Sequence, residues 1–171
     1  LRVYVEALSQ EAQGAYPFHW AIPFTQYIKN QVAMTTEMLE HTGIYEVVSL
    51  ADVRAVVGDR VLTYDGMKRS DWAEARAIGR ALHADYVFVT YRSATAVGTG
   101  EREGRYTFEL VNVESGRSYR SAYTVRNLSH GDVGQVLESN KVSYREIFVQ
   151  AKGDMMAVAI RKGKASGPPP S

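Results

Sequence analysis

Asp71–Tyr91, DWAEARAIGRALHADYVFVTY, reads as one complete αβ unit. Trp72, Ala75, Ile78, Gly79 and Leu82 recur at helical spacing and form a single apolar stripe. Glu74, Arg76, Arg80 and His83 fall on other faces. Asp71 is placed to cap the helix, with Glu74 three residues on completing a capping box. His83-Ala84-Asp85 leaves room only for a short turn. The run Tyr86–Thr90 that follows is too apolar for a strand facing solvent, so it predicts a buried one.

Upstream, Arg2–Glu6 alternates and is rich in β-formers, which predicts a first strand. Residues 9–24 hold Gly14, Pro17 and Pro23 among Tyr16, Phe18, His19 and Trp20, a long loop unusually rich in aromatics. Thr25 caps a predicted helix to about His41, stopped by Thr42-Gly43. Tyr45–Ser49 reads as the second strand, and Ala51–Val57 as a short helix closed by Gly58. Residues 59–70 read as a polar connection with a turn at Asp65-Gly66.

Downstream, Ser93–Arg105 carries Gly98, Gly100 and Gly104 and is expected to join two strands. Tyr106–Val113 and Arg117–Val125 both alternate around the turn Glu114-Ser115-Gly116, which predicts a hairpin. A last helical region runs from about Asp132 to Ile160, with Gly153 as its expected break. The order β-α-β-α-α-β-β-β-α predicts an α/β (α+β) fold. Its mixed sheet is packed with helices and ends in a C-terminal antiparallel hairpin. Residues 1–162 are expected to form one domain, and the Gly/Pro/Ser-rich residues 163–171 a flexible tail or linker.

At 171 residues the chain has the length of one domain and can bury roughly two-thirds of its unfolded surface. A net charge of +1 argues against nucleic acid, since phosphate binding needs a surplus of Lys and Arg on one face. Cysteine is absent, which excludes disulfides, thiolate metal sites and cysteine nucleophiles. No apolar run is long enough to span a bilayer. The chain begins at Leu1 within a strand-like run, as a trimmed or mature fragment would.

No constellation in the sequence carries catalysis. Gly98-Thr-Gly100 leads into another strand rather than a helix, so it reads as a hairpin loop and not as a phosphate cradle. His19, His41, His83 and His130 share no metal-ligand spacing, and Asp132 after His130-Gly reads as a helix cap. No GxSxG elbow is present. Glu101, Glu103 and Glu109 lie near one end of the hairpin, where strand alternation is expected to turn them outward. The expectation is therefore no enzyme, no catalytic or cofactor-binding residue and no metal.

The aromatics leave two readings open. Tyr16, Phe18, Trp20 and Phe24 form either a lid folded back on the core or an exposed partner-binding patch, since Trp and Tyr anchor interfaces. Tyr106, Tyr119 and Tyr123 either pack in the core and across strands or join that surface. Arg117, Arg120 and Arg126 would give the hairpin a basic face, which is a solvated sheet face or a site for an acidic partner.

Four segments carry a family resemblance. Met38–Ser49, MLEHTGIYEVVS, is a helix, a small turn and a strand ending in a polar residue; Asp52–Val56 is a short helix. Ala77–Val89 makes a helix-to-strand step, and Leu110–Gly116, LVNVESG, a hairpin with Asn112 where an acid is common. In these features Leu39–Val125 resembles the bacterial envelope α/β domain shared by the TolB amino-terminal domain, CsgG and LpoB. The chain departs in one respect: the aromatic loop separates Leu1–Leu8 from Ile22-Pro-Phe24, where the family often passes from strand to helix through Pro-Phe.

The resemblance implies a non-enzymatic accessory domain of the periplasm, either free there or in an outer-membrane-anchored lipoprotein. It implies an envelope protein as partner in assembly, secretion or cell-wall synthesis, with no nucleic acid and with membrane contact only through a tether outside this segment. Tyr16–Phe24 and Arg105–Arg126 are the expected contacts, with an exposed sheet edge able to accept a partner strand. Two alternatives stand beside it: a small-ligand-sensing domain of a larger signalling or transport protein, binding near Gly98–Gly104 and favoured by a deep pocket lined by Tyr91, Arg92 and Arg105, and a homo-oligomer acting as a self-assembling secretion subunit.

Overall fold

The computed structural model describes residues 1–9, 45–60, 62–96, 102–126 and 133–166, together with Ala33, Thr36 and Glu37, which are helical. Five strands form one mixed sheet. In chain order they are β1 (Arg2–Ser9), β2 (Glu46–Val47), β3 (Tyr86–Ala96), β4 (Arg102–Asn112) and β5 (Ser118–Arg126). Across the sheet the order is β2-β1-β3-β4-β5. β1 pairs in parallel with β2 and β3, while β3, β4 and β5 form an antiparallel meander. Helices α1 (Leu50–Val57) and α2 (Tyr64–Ala81) precede the meander, and α3 (Val133–Ser166) follows it.

Strand alternation divides the core between the two faces of the sheet. Val3, Val5, Tyr86, Phe88, Tyr106, Phe108 and Leu110 meet Tyr144, Ile147, Ala151, Met155 and Val158 of α3. Tyr4, Leu8, Val87, Val89, Val111 and Val113 meet Val53, Met67, Trp72, Ala75, Ile78 and Leu82 on the other side. The expected stripe of the αβ unit is therefore the buried face of α2. Gly79 is where helix and sheet come closest: a Cβ there would lie 2.7 Å from Val113 Cγ2 and 3.1 Å from Val87 Cγ2. Gly58 closes α1 at φ 61, a left-handed conformation that glycine adopts without a Cβ clash.

Three local expectations are corrected. A first helical turn, not a polar connection, begins at Tyr64, where Thr63 is extended and its Oγ1 accepts the Gly66 N–H at 3.1 Å; Arg69–Trp72 are non-helical, and the helix of the αβ unit follows them. Asp71 is not the extended N-cap expected: Ser70, Asp71 and Trp72 lie in the left-handed region, at φ 55, 55 and 62, and form a kink between the two helical parts of α2. The kink turns the Trp72 side chain into the core.

The glycine-bearing connection is also shorter than expected. β3 runs to Ala96 and β4 starts at Arg102, with Gly104 in the ladder between Ala94 and Val125. Finally, α3 does not break at Gly153. One exposed glycine costs about 1 kcal/mol, which the buried run Ile147, Ala151, Met155 and Val158 outweighs. The helix continues to Ser166, into the segment expected to be tail.

Candidate functional site

The meander places β5 at the sheet boundary, where it pairs only with β4 among the described residues. Its two sets of residues have different fates. Tyr119, Ser121 and Tyr123 turn toward α3: Tyr123 stacks on Tyr106 at 5.0 Å, and its hydroxyl donates to Asn140 Oδ1 at 2.5 Å. Ser121 Oγ donates to Glu146 Oε2 at 2.6 Å. Ser118, Arg120, Ala122 and Thr124 face the other way and are exposed.

Backbone geometry gives this second set a further property. Asn112 N donates to Arg117 O at 2.9 Å, so Asn112 and Arg117 are a hydrogen-bonded pair. In an antiparallel ladder such pairs alternate, which directs the backbone groups of Tyr119, Ser121 and Tyr123 at β4. The N–H and C=O groups of Ser118, Arg120, Ala122 and Thr124 then point outward, off the edge. Gln150 Nε2 donating to Arg120 O at 3.3 Å agrees with that direction. Beside the edge runs an open groove of about 240 Å³, lined by Ala122, Tyr123, Ser139, Val142, Ser143 and the acids Glu138 and Glu146.

Beneath the exposed face lies a carboxylate. Glu109 is only 2% exposed, although alternation suggested an outward position. It does alternate, but toward α2, whose first turn covers it. Tyr64 OH donates to Glu109 Oε1, while Lys68 Nζ lies 3.4 Å and Arg120 Nε 3.7 Å from the same oxygen. Tyr64 is itself held by stacking on Tyr91 at 4.3 Å. Burial and then the bond to Glu109 push the Tyr64 hydroxyl well above the ordinary tyrosine range, so it remains a donor. One acid between two cations leaves a surplus positive charge at this end of the hairpin. The signal missed in the sequence was Tyr64-x-x-x-Lys68, one helical turn that presents both groups to one side.

Asn112 closes the hairpin from within. Its Oδ1 accepts the Glu114 and Ser115 N–H groups, each at 3.0 Å, and its Nδ2 donates to Asp154 Oδ2 at 2.9 Å. Tyr86 OH donates to the same Asp154 oxygen at 2.5 Å. An amide accepts at one end and donates at the other, whereas an ionised acid can only accept, which accounts for Asn rather than an acid at this position.

Of the sequence-derived contacts, Tyr16, Phe18, Trp20 and Phe24 lie outside the described residues. In the ladder Arg120 pairs with Glu109 and Arg126 with Glu103, whereas Arg117 precedes the strand and is exposed. Tyr106 and Tyr123 form the cross-strand stack, and Tyr119 packs against the α3-side core. Tyr91, Arg92 and Arg105 do not line one pocket: Tyr91 stacks on α2, adjacent Arg92 is buried toward the opposite face, and Arg105 is exposed. Among the described residues no group of three or more His, Asp or Glu is arranged to hold a metal. No helix among them is long and apolar enough to cross a membrane.

No family model matches the chain, and no curated protein matches it. Solved structures do. The lipoprotein GNA1162 from Neisseria meningitidis has a TM-score of 0.51 at 16% identity, covering 82% of this chain and 94% of that one. The LpoB C-terminal domain from Salmonella enterica has a TM-score of 0.46 at 16% identity, covering 72% and 81%. A PelC dodecamer from Paraburkholderia phytofirmans has a TM-score of 0.41 at 17% identity, covering 81% and 79%. The first of these carries the conclusion that this chain has the fold of a bacterial lipoprotein; at such identity the similarity bears on fold alone. Neither TolB nor CsgG is among the three.

Proposed function

We propose that this chain is a non-enzymatic accessory domain of the bacterial cell envelope and that it binds another protein along the outer edge of β5. The observation that carries the reading is the edge itself. Among the described residues, nine residues of strand end the sheet, with outward backbone groups at Ser118, Arg120, Ala122 and Thr124 and a groove alongside. A partner segment in extended conformation gains main-chain hydrogen bonds from such an edge and specificity from alternate side chains. Residues 1–162 act as one domain in this reading. The hairpin arginines Arg117, Arg120 and Arg126 set the preference for partner charge, and Tyr16, Phe18, Trp20 and Phe24 supply a second contact. The fold shared with a lipoprotein supports the envelope setting.

The test uses Ala122→Pro, which removes an outward N–H without breaking the ladder to β4. Capture of the partner from envelope extract is expected to fall at least ten-fold, with the thermal midpoint little changed. Capture equal to the parent chain would exclude the edge. Loss in Trp20→Ala with Tyr16→Ala, and not in Ala122→Pro, would move the site to the aromatic loop.

A further inference from the structure

Four of the five large apolar side chains exposed among the described residues belong to α3: Val142, Val149, Met156 and Ile160. At 3.6 residues per turn they fall within about 40° of arc, directly opposite the buried face that carries Ile147, Ala151 and Val158. Val149, in the middle, is 70% exposed. From Val142 to Ile160 the stripe spans nineteen residues of helix, roughly 27 Å at a rise of 1.5 Å per residue. Among the described residues, the helical members of the core on this side of the sheet come from α3.

Charge along the ridge is one-sided. Lys141, Arg145 and Lys152 are exposed and follow one flank of the stripe. Of the acids near it, Glu138 pairs with Lys141 at 3.2 Å, and Glu146 accepts from Ser121 on the β5 side. No ion pair joins Arg145 or Lys152 to an acid among the described residues. A second copy is a poor occupant: two antiparallel copies of this helix crossing at Val149 would bring like flanks together, placing Arg145 of each near Lys152 of the other. An exposed apolar line with basic side chains beside it instead complements an anionic lipid surface. The aliphatic groups reach the headgroup boundary while long cationic side chains stay at headgroup level.

We infer that the outer face of α3 is a lipid-contact surface, in which Val142, Val149, Met156 and Ile160 insert shallowly and Arg145 and Lys152 select anionic headgroups. The contact is reversible and independent of any tether, and it leaves the outward backbone groups of β5 free for a protein, sharing only Val142 with the groove beside that edge.

The experiment is co-sedimentation of the whole chain with phosphatidylcholine vesicles, with and without phosphatidylglycerol, at low and high salt. Binding is expected only with phosphatidylglycerol and is expected to weaken as salt rises. Arg145→Glu and Lys152→Glu should each lower partitioning about five-fold or more, the loss expected for removing one surface cation near an anionic bilayer. Val149→Asp with Met156→Asp should abolish it. Should that pair fail to fold, Val149→Ser should still reduce binding, with an unchanged far-ultraviolet spectrum.

Equal binding to both vesicle types, or none to either, would overturn the inference. So would light scattering showing a dimer that Val149→Asp dissociates, or capture of an envelope protein that depends on Val149 where vesicles do not bind. Ala122→Pro should leave vesicle binding intact, which separates this surface from the protein-binding edge.

Discussion

Replacing Asn112 by Asp tests the interior of the hairpin with the exchange of one NH₂ group for oxygen. Asn112 is 2% exposed and joins two turn amides to Asp154. An aspartate keeps both acceptor bonds but sets a second carboxylate beside Asp154, where the parent distance is 2.9 Å. Two charges 4 Å apart repel by about 4 kcal/mol at an effective dielectric of 20. The protein can avoid this by protonating one acid, which at pH 7 costs about 4 kcal/mol from an ordinary aspartate pKa. That protonated acid then restores a donor toward its neighbour.

Both routes place the loss at about 2 to 4 kcal/mol near neutral pH, after relaxation. The shared proton raises one folded-state pKa above its unfolded value. Stability is then fully present below the unfolded pKa, near 4, and is lost as pH rises through the folded one. Urea unfolding of parent and variant at pH 7 and pH 4 reads the difference directly. The gap between the two chains should shrink by at least half at pH 4. An equal gap at both pH values, or none at pH 7, would refute the Asn112–Asp154 geometry.

Gly79→Ala should destabilise by about 1 to 2 kcal/mol, because overpacking against Val113 and Val87 costs more than the roughly 1 kcal/mol of helix propensity it gains; a stabilised variant in thermal unfolding would contradict the close approach. Tyr64→Phe removes the donor to Glu109 and should cost about 1.5 to 3 kcal/mol by urea unfolding; no loss would mean that Lys68 and Arg120 suffice. Burial, the Glu6 charge and the bond to Glu6 raise the Tyr4 hydroxyl, and burial with the bond to Asp154 raises Tyr86. Both stay protonated where unfolded tyrosine ionises, so stability should fall above pH 10 by about 1.4 kcal/mol per pH unit for each. Tyr86→Phe should shallow that slope in alkaline unfolding curves.

Much of the fold was legible because its signals are local. The stripe Trp72, Ala75, Ile78, Gly79 and Leu82 and the apolar run Tyr86–Thr90 each carry their own periodicity, and both are buried as read. The hairpin around Glu114-Ser115-Gly116 was legible for the same reason. The start of α2 was not: Asp71 and Glu74 form a sound capping pattern, yet Thr63 caps the chain seven residues after Val56, and the left-handed Ser70–Trp72 kink leaves no mark in residue type.

The site was less legible still. Glu109 lies on a regular alternation whose sign depends on which face α2 covers, and that is settled by tertiary packing. The outward backbone groups of β5 depend on register and strand order, which no side chain encodes. The apolar line on α3 was present at seven-residue spacing in Val142, Val149 and Met156, but the stronger stripe on the other side of the same helix obscured it.

The central claim is that a partner adds to the outer edge of β5, and backbone hydrogen exchange along that strand tests it most directly. In the free domain the amides of Arg120, Ala122 and Thr124 should exchange quickly, while Tyr119, Ser121 and Tyr123 are slowed by the ladder to β4. With the captured envelope protein bound, the account predicts slowed exchange at Arg120, Ala122 and Thr124. Unchanged exchange at those three amides in a saturated complex, with protection appearing elsewhere, would contradict it.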